Sequence, residues 1–256
     1  MNNSPIGVFD SGLGGLSVWA EIRRRLPAES LVYYGDGKHC PSGRKSAEEI
    51  TEYAIEAVER LLSKGAKLVV VACNTATGAA IRTLRERYTI PIVGMEPAVK
   101  PAAQATRTGV IGILATRRSL ESELYRHTSA HYAAGVEIVQ SEGEGFVELV
   151  ERGMSDSDEA LSVVGRVVEP MLQKGVDQIV LGCTHYPFLK DTIRKVVGDR
   201  KVHIIDPSPA IAARVEQLLE QYDLQCDATN IATYRFISAA DEEYVARIRE
   251  FAERIK

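Results

Sequence analysis

A short apolar run that ends in a cysteine occurs twice in this chain, and it constrains the fold more than any other feature. The first copy is Leu68-Val69-Val70-Val71-Ala72-Cys73-Asn74-Thr75 and the second is Ile179-Val180-Leu181-Gly182-Cys183-Thr184-His185. Uninterrupted Val, Ile and Leu, without polar alternation, marks a strand covered on both faces, as in a parallel sheet. Each run then gives way to polar residues and a helical pattern. Ligands of open α/β sheets sit beyond the carboxyl ends of the strands. Both thiols are therefore expected where such folds do chemistry.

The two runs belong to a longer repeat. Cys73 precedes Glu96-Pro97 by 23 residues, and Cys183 precedes Asp206-Pro207 by 23. Ile6-Gly7-Val8-Phe9 opens the first half as Ile111-Gly112-Ile113-Leu114 opens the second. The expected fold class is α/β, with two pseudo-symmetric domains, each a mostly parallel sheet flanked by helices. A chain of 256 residues suits one large or two small cores. The thiols would then hold equivalent positions and face each other across the interdomain cleft, a favoured ligand site. A composition shift after Pro97 reads as a linker from Ala98 to Thr108.

Composition removes several function classes. The formal net charge of −4 leaves no general basic footprint for nucleic acid. No apolar run reaches the length of a membrane span. Met1-Asn2-Asn3-Ser4-Pro5 lacks the basic and apolar regions of a secretory signal, so a cytoplasmic protein is expected. The four cysteines, at 40, 73, 183 and 226, form no close pair. That spacing argues against a disulfide framework or a zinc site and for reduced thiols.

Local patterns place the remaining candidates. The strand Ile6 to Asp10 runs into Ser11-Gly12-Leu13-Gly14-Gly15 and a helix from Leu16. Such a glycine-rich turn lets backbone amides approach an anion at a helix N-terminus. Neither a P-loop nor a Rossmann spacing fits, which leaves a packing turn or a site for an anionic small molecule. Ser46 with Glu49 predicts a capping box. Leu120 to Tyr132 reads as helical, Ser141 to Gly145 as a loop, and Phe146 opens a helix carrying Glu148 and Glu151.

A cysteine just past a strand, at the start of a helix, feels the positive end of the helix dipole. Its pKa falls from about 8.5 toward neutrality. A phosphatase would need an arginine at the sixth position after the thiol, where this chain has Ala79 and Leu189. A cysteine amidase could use Cys183, His185 and a carboxylate, leaving Cys73 idle. Two opposed thiols suit a different task, in which one removes a proton from a carbon and the other delivers one to the far face. Either cysteine alone could be a small core hydrophobe; a matched pair makes that reading weaker. A non-catalytic amino-acid-binding protein is a further alternative.

The motifs Asp10-Ser11-Gly12-Leu13-Gly14-Gly15, Ala72-Cys73-Asn74-Thr75-Ala76-Thr77 and Leu181-Gly182-Cys183-Thr184-His185-Tyr186-Pro187 resemble the glutamate racemase family, within the wider aspartate/glutamate racemase superfamily. The likeness runs nearly end to end. It implies cofactor-independent interconversion of L- and D-glutamate, supplying D-glutamate for the bacterial peptidoglycan wall; no metal or pyridoxal motif is evident. It further implies that Cys73 and Cys183 are the two bases, one per enantiomer. By the same likeness Asp10 and Asn74 tune the first thiol, and Thr184, His185 and Glu151 the second. Ser11, Ser42, Gly43, Thr75 and Thr184 would hold the substrate, with Asp10, Asn74, Thr116 and His185 also lining it. Ser42 replaces the tyrosine usual in the family, which removes an aromatic wall. The Ser141 to Gly145 loop is more acidic than its family counterpart. The family returns its C-terminus to the first domain, so residues 1–97 with 208–256 are expected as one domain and 98–207 as the other. The first strand begins almost at once, so a regulatory N-terminal extension is not expected. The partner would be glutamate, with no nucleic acid or membrane, and a homodimer is expected. A racemase of another acidic amino acid such as aspartate, or a cysteine-dependent amidase, stays open as an alternative.

Overall fold

The structure, a computed structural model, describes residues 1–255. The chain opens with β1 (Ile6–Asp10), α1 (Leu16–Arg25), β2 (Leu31–Gly35), α2 (Ala47–Ser63), β3 (Leu68–Val71), α3 (Asn74–Arg87) and β4 (Ile92–Gly94). It continues through α4 (Val99–Ala105), β5 (Val110–Ala115), α5 (Arg117–Glu121), α6 (Glu123–Tyr132), β6 (Glu137–Glu142), α7 (Phe146–Glu151), α8 (Asp158–Gln173), β7 (Gln178–Gly182), α9 (Lys190–Val197) and β8 (His203–Ile205). The tail is α10 (Ser208–Gln221), β9 (Tyr234–Ser238) and α11 (Glu242–Arg254). Two compact units result. One is Met1–Met95 with the chain from Ser208 onward, and the other is Glu96–Pro207.

The first unit carries a parallel sheet of order β4-β3-β1-β2-β9. The second carries a parallel sheet of order β6-β5-β7-β8. Setting β9 aside, β4-β3-β1-β2 corresponds strand for strand to β8-β7-β5-β6. The repeat read from the sequence is thus a repeat of topology. Each cysteine-bearing strand lies beside the strand that opens its half, with Val8 opposite Val70 in one sheet and Ile113 opposite Val180 in the other.

The apolar runs are buried because helices cover both faces. Every residue of β1, β2 and β3 is buried. On one face Phe9, Val32, Val69 and Val71 pack with Ile50, Val58 and Leu61 of α2 and Ala80 and Leu84 of α3. On the other, Trp19 of α1 meets Tyr234 and Phe236 of β9 at ring-centroid distances of 5.4 and 5.5 Å. In the second unit Val99 and Ala102 of α4 and Tyr125 of α6 pack on Ile111, Ile113 and Val180.

Several local expectations meet their physical reasons here. The Ser46–Glu49 capping box forms in both directions. The expected linker from Ala98 to Thr108 is largely helix α4, with Val99 and Ala102 buried. Its alanines favour a helix, and Pro101 falls in the first turn, where no intrahelical bond is lost. The helix expected over 120–132 is interrupted at Ser122, where ψ is 147°; the Ser122 side chain accepts from Tyr125 N and starts α6. Ser141 and Glu142, expected in a loop, complete β6 by pairing with Leu114 and Ala115.

Candidate active site

The first thiol is built by the end of β3. Ala72 N donates to Phe9 O at 2.8 Å, which keeps the chain beside β1 for one residue past the strand. Cys73 follows with φ −69° and ψ 117° as the N-cap of α3, and its own Sγ accepts from Ala76 N at 3.4 Å. The thiol therefore sits at the positive end of a 14-residue helix and takes one of its orphan amide donors. Both effects favour the thiolate. Ser11 Oγ lies 3.6 Å from Cys73 Sγ and shares a hydrogen bond with it, in which either atom could donate.

Ser11 is placed by the turn after β1. Asp10 is fully buried, and its Oδ1 accepts from Gly12 N at 2.9 Å. Tyr33 Oη donates to Gly12 O at 2.7 Å. A Cβ on Gly15 would lie 2.5 Å from Asp10 Cβ, so only glycine fits there. Gly15 is the N-cap of α1 and no side chain caps it, so Asp10 and Ser11 serve the turn rather than the helix. Asn74 follows the thiol; its Oδ1 is buried and finds no hydrogen-bond partner among the described residues. A buried amide oxygen left unmatched is costly unless a ligand supplies a donor. Thr75 is 4% exposed. Ser42 and Gly43, half-buried, occupy a 3-10 turn, Ser42–Arg44, in the same unit.

The second thiol has a different setting. Cys183 follows the last residue of β7 directly, whereas Ala72 separates Cys73 from β3, and no α-helix starts at Cys183. A 3-10 turn, Tyr186–Leu189, comes first, and α9 begins only at Lys190. The helix-dipole expectation is therefore corrected for Cys183. Pro187 lies in the first turn of this 3-10 segment, where its missing N–H costs no intrahelical bond. In place of a helix end, Cys183 Sγ lies 3.8 Å from His185 Nδ1. His185 Nε2 lies 2.8 Å from Glu151 Oε1. With Nε2–H donating to the carboxylate, Nδ1 is left to exchange a proton with the thiol. Cys183, Thr184 and His185 are 7%, 3% and 3% exposed, so this chain of groups is shielded from water. Glu151, rather than Glu148, is the carboxylate bonded to His185.

Two further features surround Cys183. A Cβ on Gly182 would come within 2.9 Å of Leu114 O and Ala115 Cβ, so the strand end must be glycine. Tyr186 is 1% exposed, stacks edge-on with Phe146 at 5.1 Å and donates to Gly143 O at 3.4 Å. Burial, with the charge of the neighbouring Cys183 second, pushes its phenol well above the ordinary tyrosine range. Sequence reasoning gave Tyr186 no role; its place in the Tyr186-Pro187 motif was the available signal. Thr116 caps α5, accepting from Ser119 N at 3.4 Å. All four cysteines are outside disulfides.

Comparisons with known proteins agree on one family. The family model for Asp/Glu/hydantoin racemases matches residues 6–215. The glutamate racemase of Ectopseudomonas mendocina is 48% identical over 244 residues, which is 94% of this chain and 92% of that protein. The crystal structure of glutamate racemase isoform RacE1 from Bacillus anthracis superposes with a TM-score of 0.87 at 32% identity, covering 98% of this chain and 94% of that one. The Escherichia coli glutamate racemase, solved with L-glutamate and the activator UDP-MurNAc-ala, gives a TM-score of 0.82 at 34% identity over 96% of this chain and 95% of that one. With its fold, its two strand-end cysteines and its full-length relatives in agreement, the chain belongs to the Asp/Glu/hydantoin racemase family.

Proposed function

We propose that this protein is a glutamate racemase that interconverts the L and D enantiomers with Cys73 and Cys183 as its two acid–base groups. The single observation that carries this reading is the pair of buried thiols at matched strand ends, β3 and β7, in a chain 48% identical to a glutamate racemase over nearly its whole length. A lone thiol with a histidine is common to many chemistries; two thiols in repeated positions serve inversion at one carbon.

In the forward step one thiolate removes the α-proton of glutamate and the other thiol delivers a proton to the opposite face. The reverse reaction exchanges their roles. The intermediate carries negative charge beside its carboxylate, and fixed donors must offset it. Ser11, Ser42, Gly43, Thr75, Thr116 and Thr184 supply hydroxyl and amide groups for the two carboxylates and the amino group. Asn74 offers its unmatched Oδ1 to the substrate ammonium. Asp10 keeps Ser11 in place through the Gly12 amide. His185, held by Glu151, receives and returns the Cys183 proton. The E. coli relative was solved with L-glutamate, which supports glutamate as the substrate here. The product serves peptidoglycan assembly, and the protein works as a cytoplasmic homodimer.

A second reading has one observation in its favour. Cys183, His185 and Glu151 form a thiol–imidazole–carboxylate series that an amide hydrolase would also use. One experiment separates the two. Purified protein is incubated with L-glutamate and, separately, with L-glutamine. Racemisation predicts that the circular dichroism of glutamate decays to zero with no ammonia from glutamine. A steady glutamate signal with ammonia release would overturn the proposal in favour of the hydrolase.

A further inference from the structure

The segment between β2 and α2 carries Ser42 and Gly43, and its local bonds are short turns. Lys38 N donates to Asp36 O at 2.5 Å, Cys40 N to Gly37 O at 3.3 Å and Lys45 N to Ser42 O at 3.1 Å. Turns of this kind leave a segment of several conformations unless side chains fasten it. Its entry point is well fixed. Asp36 N donates to Asp10 O and Gly37 N to Ser11 O, both at 3.0 Å, which ties the start of the segment to the turn that places Ser11 beside Cys73. Ser238 Oγ donates to Gly35 O at 2.6 Å and to Asp36 O at 3.1 Å.

His39 is the side chain that extends this hold. Its Nδ1 lies 3.0 Å from both Asp36 Oδ1 and Oδ2, and the Asp36 side chain is only 4% exposed. Its ring lies flat on Tyr53 of α2, with centroids 3.9 Å apart and planes 5° from parallel. Lys45 Nζ stands 5.7 Å from the centre of the same Tyr53 ring, at the far end of the segment. Asp36 and Tyr53 thus bracket His39, and Tyr53 also receives the residue that closes the segment. Burial pushes the Asp36 carboxyl up and the His39 bond draws it down, so the carboxylate depends on this partner.

We propose that His39 is a positioning residue, clamped between Asp36 and Tyr53 so that the Cys40–Gly43 segment presents Ser42 and Gly43 to a substrate carboxylate in one conformation. The inference rests on the assignment of Ser42 and Gly43 to substrate binding. It gives Tyr53 and Lys45 a function that no motif in the sequence announced. Ordering the segment in advance lowers the cost of binding and leaves proton transfer untouched.

The experiment measures racemisation kinetics and, separately, the rate of tryptic cleavage after Lys45 in the full-length protein. His39→Ala is expected to raise KM for both enantiomers about tenfold with kcat within about twofold, because the lost contacts order the binding segment and not the thiols. The same variant is expected to be cleaved after Lys45 about tenfold faster, since cleavage tracks local opening. His39→Asn keeps a donor for Asp36 and should recover part of the loss; Tyr53→Phe keeps the ring and should match the wild type. Faster cleavage with an unchanged KM would show a clamp that binding does not use, and overturns the inference. An unchanged cleavage rate overturns it as well. A wild-type protein that does not racemise glutamate refutes the function itself, and the cleavage rates still report on the clamp.

Discussion

The two thiols occupy the same place in two copies of one topology, yet their surroundings differ in kind. Cys73 caps a helix with its own sulfur and has a serine hydroxyl beside it. Cys183 has a 3-10 turn rather than the start of an α-helix behind it and lies beside a histidine held by a carboxylate. One sulfur is faced by fixed dipoles, the other by a group that itself carries a proton. Strand order fixes where a reactive group can stand, while the residues of the following turn decide how it is activated. Under the proposed two-thiol mechanism the enzyme meets two mirror-image substrates, and two differently set bases suit that task.

The largest effects come from the sulfurs themselves. Cys73→Ser and Cys183→Ser should each lower racemisation in both directions by about a thousandfold or more, since in the proposed mechanism every turnover uses both groups. Retention of either direction by one variant would break the pairing. The next effect separates the two settings. His185→Asn and Glu151→Gln should slow turnover by about ten- to a hundredfold through Cys183 alone. The deuterium isotope effect at Cα should then grow most in the direction where Cys183 accepts the proton. Equal growth in both directions would mean the dyad is not private to Cys183. Ser11→Ala removes one hydroxyl from the Cys73 side and should cost about three- to tenfold, with the isotope effect growing in the opposite direction.

The smallest effect concerns the phenol beside Cys183. The folded-state pKa of Tyr186 is raised, so above about pH 10 the unfolded chain releases this proton and the folded chain keeps it. The folded protein binds more protons there, so stability falls as pH rises past that point. Tyr186→Phe should flatten that decline in urea titrations between about pH 9.5 and 11 and leave the neutral-pH profile of activity unchanged. A decline of unchanged slope would show that other groups carry it.

Much of this was legible in the chain. Buried parallel strands announce themselves as unbroken Val and Ile runs, so β1, β3, β5 and β7 could be read directly, and the spacing of Cys73 and Cys183 to the following acidic-proline pairs exposed the repeat. Helix α4 was hidden because a seven-residue helix with a proline in it has little periodicity to show. The setting of Cys183 was half legible. Thr184-His185-Tyr186-Pro187 looks like a helix start, and only the backbone shows that a 3-10 turn comes before the α-helix. The bond between His185 and Glu151 joins residues 34 apart in sequence, a separation that no local pattern encodes; the family likeness had only grouped both with the second thiol. The His39–Tyr53 stack had no signal at all, since neither residue belongs to a motif and their meeting depends on how α2 lies on the sheet.

The two-thiol account is tested most directly by following L-glutamate and D-glutamate separately in D₂O at early conversion. Two bases on opposite faces deliver a solvent-derived proton to the product, so each newly formed enantiomer should carry deuterium at Cα while the remaining substrate stays protiated. Product that retains the original proton, or substrate that exchanges as fast as product forms, would mean that a single group both removes and returns the proton, and would contradict the account.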